Sequence, residues 1–249
     1  MTFLIHGPEY NPKSGGVRAL HYLPNLLQIN GEDVMTTFAC YRYFDIDPVR
    51  RCETKDVQLH RPEAVTIYPD CIRGNPLGAK RIVRFMLYYA GGHFGGDRIP
   101  KEELPVIHTD VLFGEVADHC DVRPTREHLM HIGCIEPGLF YAQEKTIESV
   151  FYRGKGSDAD TMGMTLLLRD SHTREQAADL LRHARRFFTT DPYTVMSVEA
   201  GLAGCRSYVI LGPGYQQHWE QDLNRWVMNL DRDKQTAARF AKLCREFFK

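Results

Sequence analysis

A chain of 249 residues can form one large domain or two of ordinary size, and its 43% apolar and 25% charged content is that of a globular protein. A formal charge of −1 excludes a protein that tracks a nucleic-acid backbone by bulk charge, so nucleic acid is not an expected partner. Seven cysteines (40, 52, 71, 120, 134, 205 and 244) include no C-x-x-C pair and are odd in number, which argues against a disulfide scaffold or structural zinc and favours a reducing compartment.

The apolar run at the start is too short for a signal peptide, and no run approaches membrane-spanning length. A soluble cytoplasmic protein is expected, with peripheral contact at a membrane left open. Thr2–His6 is a short apolar strand, and the loop Gly7–Gly16 follows it. From Val17 the apolar spacing turns helical through Leu20, Leu23 and Leu27, and Pro24 should bend or restart that helix. Asn30-Gly31 ends it, and Asp33–Ala39 is a second strand. This β-loop-α-β order opens a doubly wound parallel sheet. Ser14-Gly15-Gly16 lies where the first strand hands over to the helix, where glycines admit a ligand or simply make a turn.

Residues 41–62 show no clear period, and Ala64–Tyr68 is another strand. Residues 82, 85, 86 and 89 form an apolar helical face, with Lys80, Arg81 and Arg84 on a basic side that reads as solvated or, alternatively, as an acceptor or phosphate contact. Gly91-Gly92-His93-Phe94-Gly95-Gly96 could cover a cleft, with His93 as a candidate base. Val106–His108 and Val111–Phe113 are short β-like runs. These complete a first domain by about residue 125, and Cys134–Pro137 approaches a second.

Ser149–Tyr152 is a strand running into Arg153-Gly154-Lys155-Gly156. Two cations around a glycine at a strand's carboxyl end suit a phosphate, although a charged glycine turn looks the same. Ser171-His172-Thr173 starts a helix that continues to about Arg185. Phe187–Thr189 is a strand, Asp191-Pro192 opens a short helix carrying Glu199, Gly204 stops it, and Ser207–Leu211 is a buried strand. Trp219, Leu223, Trp226 and Leu230 make a helical stripe within 216–230, and a last helix spans 234–248.

Two strand-helix-strand units thus predict an α/β protein of two Rossmann-like lobes with a cleft between them. The divisions expected are 1–125, 126–232 and a terminal helix, 233–249, on or between the lobes. With Ser14-Gly15-Gly16, Arg153-Gly154-Lys155, the Asp191-x7-Glu199 spacing and the turn Glu199-Ala-Gly-Leu-Ala-Gly-Cys205, the chain resembles the GT-B glycosyltransferases. Tyr68-Pro69 with Gly74-Asn75-Pro76 is similar to a pattern in bacterial polysaccharide transferases. Asp191 departs from the commoner Glu, and the chain is shorter than most two-lobed transferases.

The resemblance implies a nucleotide-sugar donor, a glycan or small-molecule acceptor, and no bound metal or other cofactor. It implies that Arg153 and Lys155 neutralise the donor diphosphate, aided by backbone N–H groups near Tyr193 and Thr194. Glu199 would accept hydrogen bonds from ribose hydroxyls, Asp191 would orient the sugar, and Gly15 and Gly16 would close on the phosphates. His93, His108 and Asp110 are candidate bases by residue type. A transferase-like domain that binds without turnover is the alternative. A Rossmann oxidoreductase lacks its G-x-G-x-x-G, and a serine hydrolase its G-x-S-x-G.

Overall fold

The computed structural model describes residues 1–53, 62–89, 92, 95–154, 166–168, 171–211, 214–217 and 222–249, without the side chains of 166–168, 211 and 215–217. The chain divides into two compact units, Met1–Cys134 with Asn229–Lys249, and Ile135–Met228. The elements run β1 (Thr2–Ile5), α1 (Gly15–Ile29), β2 (Asp33–Thr36), β3 (Arg50–Arg51), β4 (Val65–Pro69), β5 (Arg81–Met86), β6 (Leu104–Ile107) and α2 (Phe113–Asp118). They continue with β7 (Ile147–Tyr152), β8 (Leu166–Leu168), α3 (Arg174–His183), β9 (Ala184–Thr189), α4 (Val195–Leu202), β10 (Arg206–Leu211), β11 (Gly214–Gln217) and α5 (Leu230–Phe247). No helix among the described residues is long and apolar enough to cross a membrane.

The first unit is a six-stranded sheet in the order β3-β2-β1-β4-β5-β6, all parallel. Alternation along β1 sends Phe3 to one face and Leu4 to the other. On the Phe3 side lie α1 and α5, in contact with each other, and the ring of Phe240 sits 5.8 Å from that of Phe3. The opposite face buries Leu4, Met35, Tyr68 and Ile82 under Leu77, with Ile72 and Ala79 packed against them. Here loops, not helices, cover the sheet: among the described residues, the β4–β5 and β5–β6 connections carry no helix.

Arg84 holds those loops down. It projects from β5 onto the loop-covered face, and its side chain is 3% exposed. Nε and Nη2 pair with Glu103, Nη1 donates to Ile72 O (3.1 Å), and Nη2 also reaches Gly74 O (2.6 Å). The guanidinium also lies over Tyr68, 5.0 Å from the ring centroid. One buried cation thereby ties both helix-free connections to the sheet.

The second unit has the order β11-β10-β9-β7-β8; β10, β9, β7 and β8 are parallel, and β11 returns antiparallel to β10. Phe151, Phe187, Ala178, Leu181, Ala184 and Ala200 are fully buried in it. Thr173 and Gln176 form a capping box at the start of α3. At the far ends of α3 and α4, Lys145 Nζ donates to Arg182 O (2.8 Å) and Ala203 O (2.6 Å), a cation where helix carbonyls lack partners. Gly204, at φ +81°, lets α4 reverse into β10, with Cys205 N bonding to Ala200 O at 2.9 Å. Both units are thus α/β with parallel, Rossmann-like sheets.

Several expectations need correction. The division falls at 134/135, within the Cys134–Pro137 stretch, and not at 125/126. The terminal helix begins at Leu230 and belongs to the first unit. Residues 81–86 are strand β5, not a helix. A strand buried on both faces is apolar almost throughout, so its spacing mimics a helical face, and Arg84 is buried where a solvated side was expected. Residues 111–113 are helical turns rather than strand. The chain from 216 to 230 is not one helix: β11 pairs back on β10 in register Leu211↔Gly214, and among the described residues a 3-10 turn, Leu223–Trp226, precedes α5, while Trp219 lies outside them. Pairing in the hairpin takes Gln216 and Gln217 out of the expected helix. α1 continues through Pro24 without restarting.

His21 on α1 is wholly buried, and its Nδ1 accepts from Tyr41 N at 3.1 Å, so the proton sits on Nε2, facing Pro8 O at 3.1 Å. Burial lowers its pKa, against smaller raising effects of the Pro8 carbonyl and Glu9. The folded pKa is depressed, so the unfolded chain binds the proton more readily. Stability should therefore fall as pH drops below about 6.5, and His21→Gln should remove that part of the slope of urea midpoint against pH. For Arg84, Glu103→Gln should destabilise the protein by about 3 kcal/mol in denaturant titration, because it strands a buried cation. Glu63→Gln, an exposed carboxylate paired with Lys80 and the half-buried Arg81, should stay within about 0.5 kcal/mol of the parent.

Candidate functional site

A doubly wound sheet opens a crevice where the strand order reverses, at the carboxyl ends of the two strands that diverge. In the second unit that point lies between β7 and β9, which pair directly from Ile147↔Ala184 to Tyr152↔Thr189. Arg153-Gly154 leaves β7 there and Thr190-Asp191 leaves β9. The two stretches singled out from the sequence thus meet across one register position.

The contact between them is tight. Gly154 has φ +68°, and a Cβ on it would lie 2.3 Å from Asp191 Cβ. Thr190 Oγ1 donates to Arg153 O, tying the two loops together. Asp191 is 4% exposed; its N–H donates to Thr189 Oγ1 (3.1 Å) and its Oδ1 accepts from Tyr193 N (3.0 Å). Thr194 N lies 3.4 Å from Asp191 O, and the Thr194 hydroxyl caps α4 by accepting from Met196 N. The N–H groups of Tyr193 and Thr194 are therefore engaged within the Asp191 turn. Asp191 acts in the structure as the brace of this turn.

Glu199 lies on α4, its side chain 2% exposed. Its Oε1 accepts from Arg174 Nη1 at 2.7 Å, and Arg174 Nη2 donates to Glu136 Oε2, also at 2.7 Å. Arg174 starts α3 and Glu136 opens the second unit. Neither stood out in the sequence, because an Arg at a helix start and a Glu before Pro137 are ordinary surface residues by type. Lys155 and His93 lie outside the described residues.

Gly15 and Gly16 belong to the first unit, where they form the first turn of α1 behind the cap Ser14, whose Oγ accepts from Val17 N at 3.3 Å. A Cβ on Gly16 would come within 3.3 Å of Leu87 Cβ, just beyond β5. The reversal point of this sheet lies between β1 and β4, and His6 and Asp70 follow those strands. His6 Nδ1 lies 2.8 Å from Thr37 Oγ1, its ring meets Tyr68 edge-on, and burial lowers its pKa. Asp70 Oδ1 accepts from Leu87 N at 3.2 Å. His6 was hidden in the sequence as the last residue of an apolar strand. His108 is a core residue, 3% exposed, with Nε2 2.9 Å from Ile132 O and its ring stacked on His131. Asp110 starts a 3-10 turn and takes a bond from the Thr109 hydroxyl. Burial pushes the Cys120 and Cys205 thiols up to about 11, so neither is a thiolate nucleophile at neutral pH.

No family model matches the chain, and no curated protein shows significant similarity to it. The Gly154–Asp191 contact makes a direct prediction. Gly154→Ala adds a left-handed penalty of about 1–2 kcal/mol and a steric overlap of similar size, so an overall loss of about 2–4 kcal/mol is expected in denaturant titration. Gly138→Ala, at a positive φ with open space around it, should cost only the first part.

Proposed function

We propose that the chain is a metal-independent glycosyltransferase of the GT-B type, and that the reversal crevice of its second unit holds a nucleotide-sugar donor. The observation that carries this reading is the meeting of Arg153-Gly154 with Asp191 across β7 and β9, at the position where parallel sheets bind nucleotides. In this reading Arg153 and Lys155 pair with the diphosphate. Their effect grows as negative charge collects on the departing phosphate. Gly154 lets the backbone approach the ligand, and Asp191, fixed by Tyr193 N–H, borders the sugar. Glu199 serves the ribose hydroxyls. The acceptor, a glycan or small molecule, is assigned to the first unit, whose own reversal point presents His6, Thr37 and Asp70.

The test is a thermal-shift screen with UDP-, GDP-, ADP-, TDP- and CMP-sugars and the free diphosphates. One base should raise Tm by about 5–10 °C at a hundredfold excess over Kd, and Arg153→Ala or Lys155→Ala should abolish the rise. Absence of any shift at millimolar nucleotide would overturn the reading. Binding without release of diphosphate from any sugar donor would instead assign a binding domain without turnover.

A further inference from the structure

Arg174 is 9% exposed, so its guanidinium has been taken out of bulk water. It bridges Glu199 and Glu136 through separate nitrogens and lies over the Phe140 ring, 5.3 Å from the centroid. Its Nε is buried and has no hydrogen-bond partner among the described residues. Burial acts to lower its pKa, and the attraction of Glu199 and then Glu136 outweighs this, so the net direction is up and the group stays charged. Two carboxylates on one guanidinium leave a formal charge of −1 in a site that is mostly dry.

Stability alone is a poor reason for such a triad, since apolar residues of similar size often serve a buried position as well or better. Its chemistry has a definite preference. The carboxylates want donors, while the orphan Nε–H wants an acceptor. A hydroxyl is both, whereas a phosphate would meet two like charges. Glu136 is the open member, with a side chain 33% exposed, and Glu199 is the closed one.

We propose that Arg174 is a positioning residue that locks Glu199 and Glu136 into one element for recognising ribose hydroxyls, so that the triad, and not Glu199 alone, selects ribonucleotides over deoxynucleotides. This rests on the donor-site reading above and adds two residues to it. The planar fork gives each carboxylate its own nitrogen, whereas a lysine would have to draw both onto one.

The test is calorimetric titration of the nucleoside diphosphate that gives the largest thermal shift, and of its 2′,3′-dideoxy analogue, into the parent, Arg174→Lys, Glu136→Gln and Glu199→Gln. The parent should favour the ribonucleotide by at least about tenfold, the worth of one hydrogen bond to a charged group. Each variant should bring the ratio to within about threefold while the affinity for the dideoxy analogue holds, since only the hydroxyl contact is lost. A purely structural role would weaken both ligands equally, and that result, or an unchanged ratio in Arg174→Lys and Glu136→Gln, would overturn the proposal. If Arg174→Lys does not fold, Glu136→Gln decides. A parent that binds diphosphate without preferring ribose overturns the triad's role and leaves the diphosphate site standing. A parent that binds neither ligand overturns both.

Discussion

A guanidinium removed from water draws oxygens to its N–H groups, and each unit of this protein is arranged around one buried arginine that does so. In the first unit Arg84 draws Glu103 and the carbonyls of Ile72 and Gly74 onto the sheet face that the β4–β5 loop covers. In the second, Arg174 draws Glu136 and Glu199 together from elements far apart in sequence. A third, Arg18 on α1, is 1% exposed and spends its donors on the carbonyls of Cys134 and Pro12. Ordinary apolar packing fills the sheets; these cations decide where the loops above them rest.

That division of labour explains how a short chain supports two parallel sheets. A parallel pair needs a crossover, usually a helix that also covers the sheet. Among its described residues, the first unit carries no helix in its β4–β5 and β5–β6 crossovers, and Arg84 pins those loops to the sheet. The second unit keeps its helices, α3 and α4, and gathers their carbonyl ends on Lys145. Their opposite ends carry Arg174 and Asp191, and Glu199 reaches Arg174 from the middle of α4.

Much of this was legible in the sequence, and the failures have identifiable causes. The chain from Phe187 to Leu211 was largely readable because Gly204 closes the helix and a β-rich run follows it, although the helix opens at Thr194, three residues after the Asp191 expected there. Thr173 marked its helix correctly. Residues 81–86 misled because a strand buried on both faces loses its two-residue alternation. Arg84 deepened the error, since its partner Glu103 lies 19 residues away and no local rule supplies it. The helix expected over 216–230 failed because Gln216 and Gln217 pair in the β10–β11 hairpin, a tertiary fact, and Leu223–Trp226 forms a 3-10 turn. Of the site, the residues adjacent to strand ends, Arg153, Gly154 and Asp191, could be inferred, while Arg174 and Glu136 could not. Their significance comes from a bridge spanning 38 residues of chain, and nothing about either residue alone announces it.

The first unit is discontinuous, and the two chain crossings are held side by side. Asp233, fully buried, accepts from Gly133 N at 3.2 Å and Asn229 N at 2.9 Å through the same carboxylate oxygen, Oδ2. On the ribosome the whole second unit therefore emerges before the residues that complete the first. Until α5 has been made, Phe3 lacks Phe240, and the face of the sheet that α5 covers lies open. Domains usually fold in the order of their synthesis. Here the later-made domain can finish first, and a nascent chain stalled before residue 229 would carry a folded insert within an unclosed host.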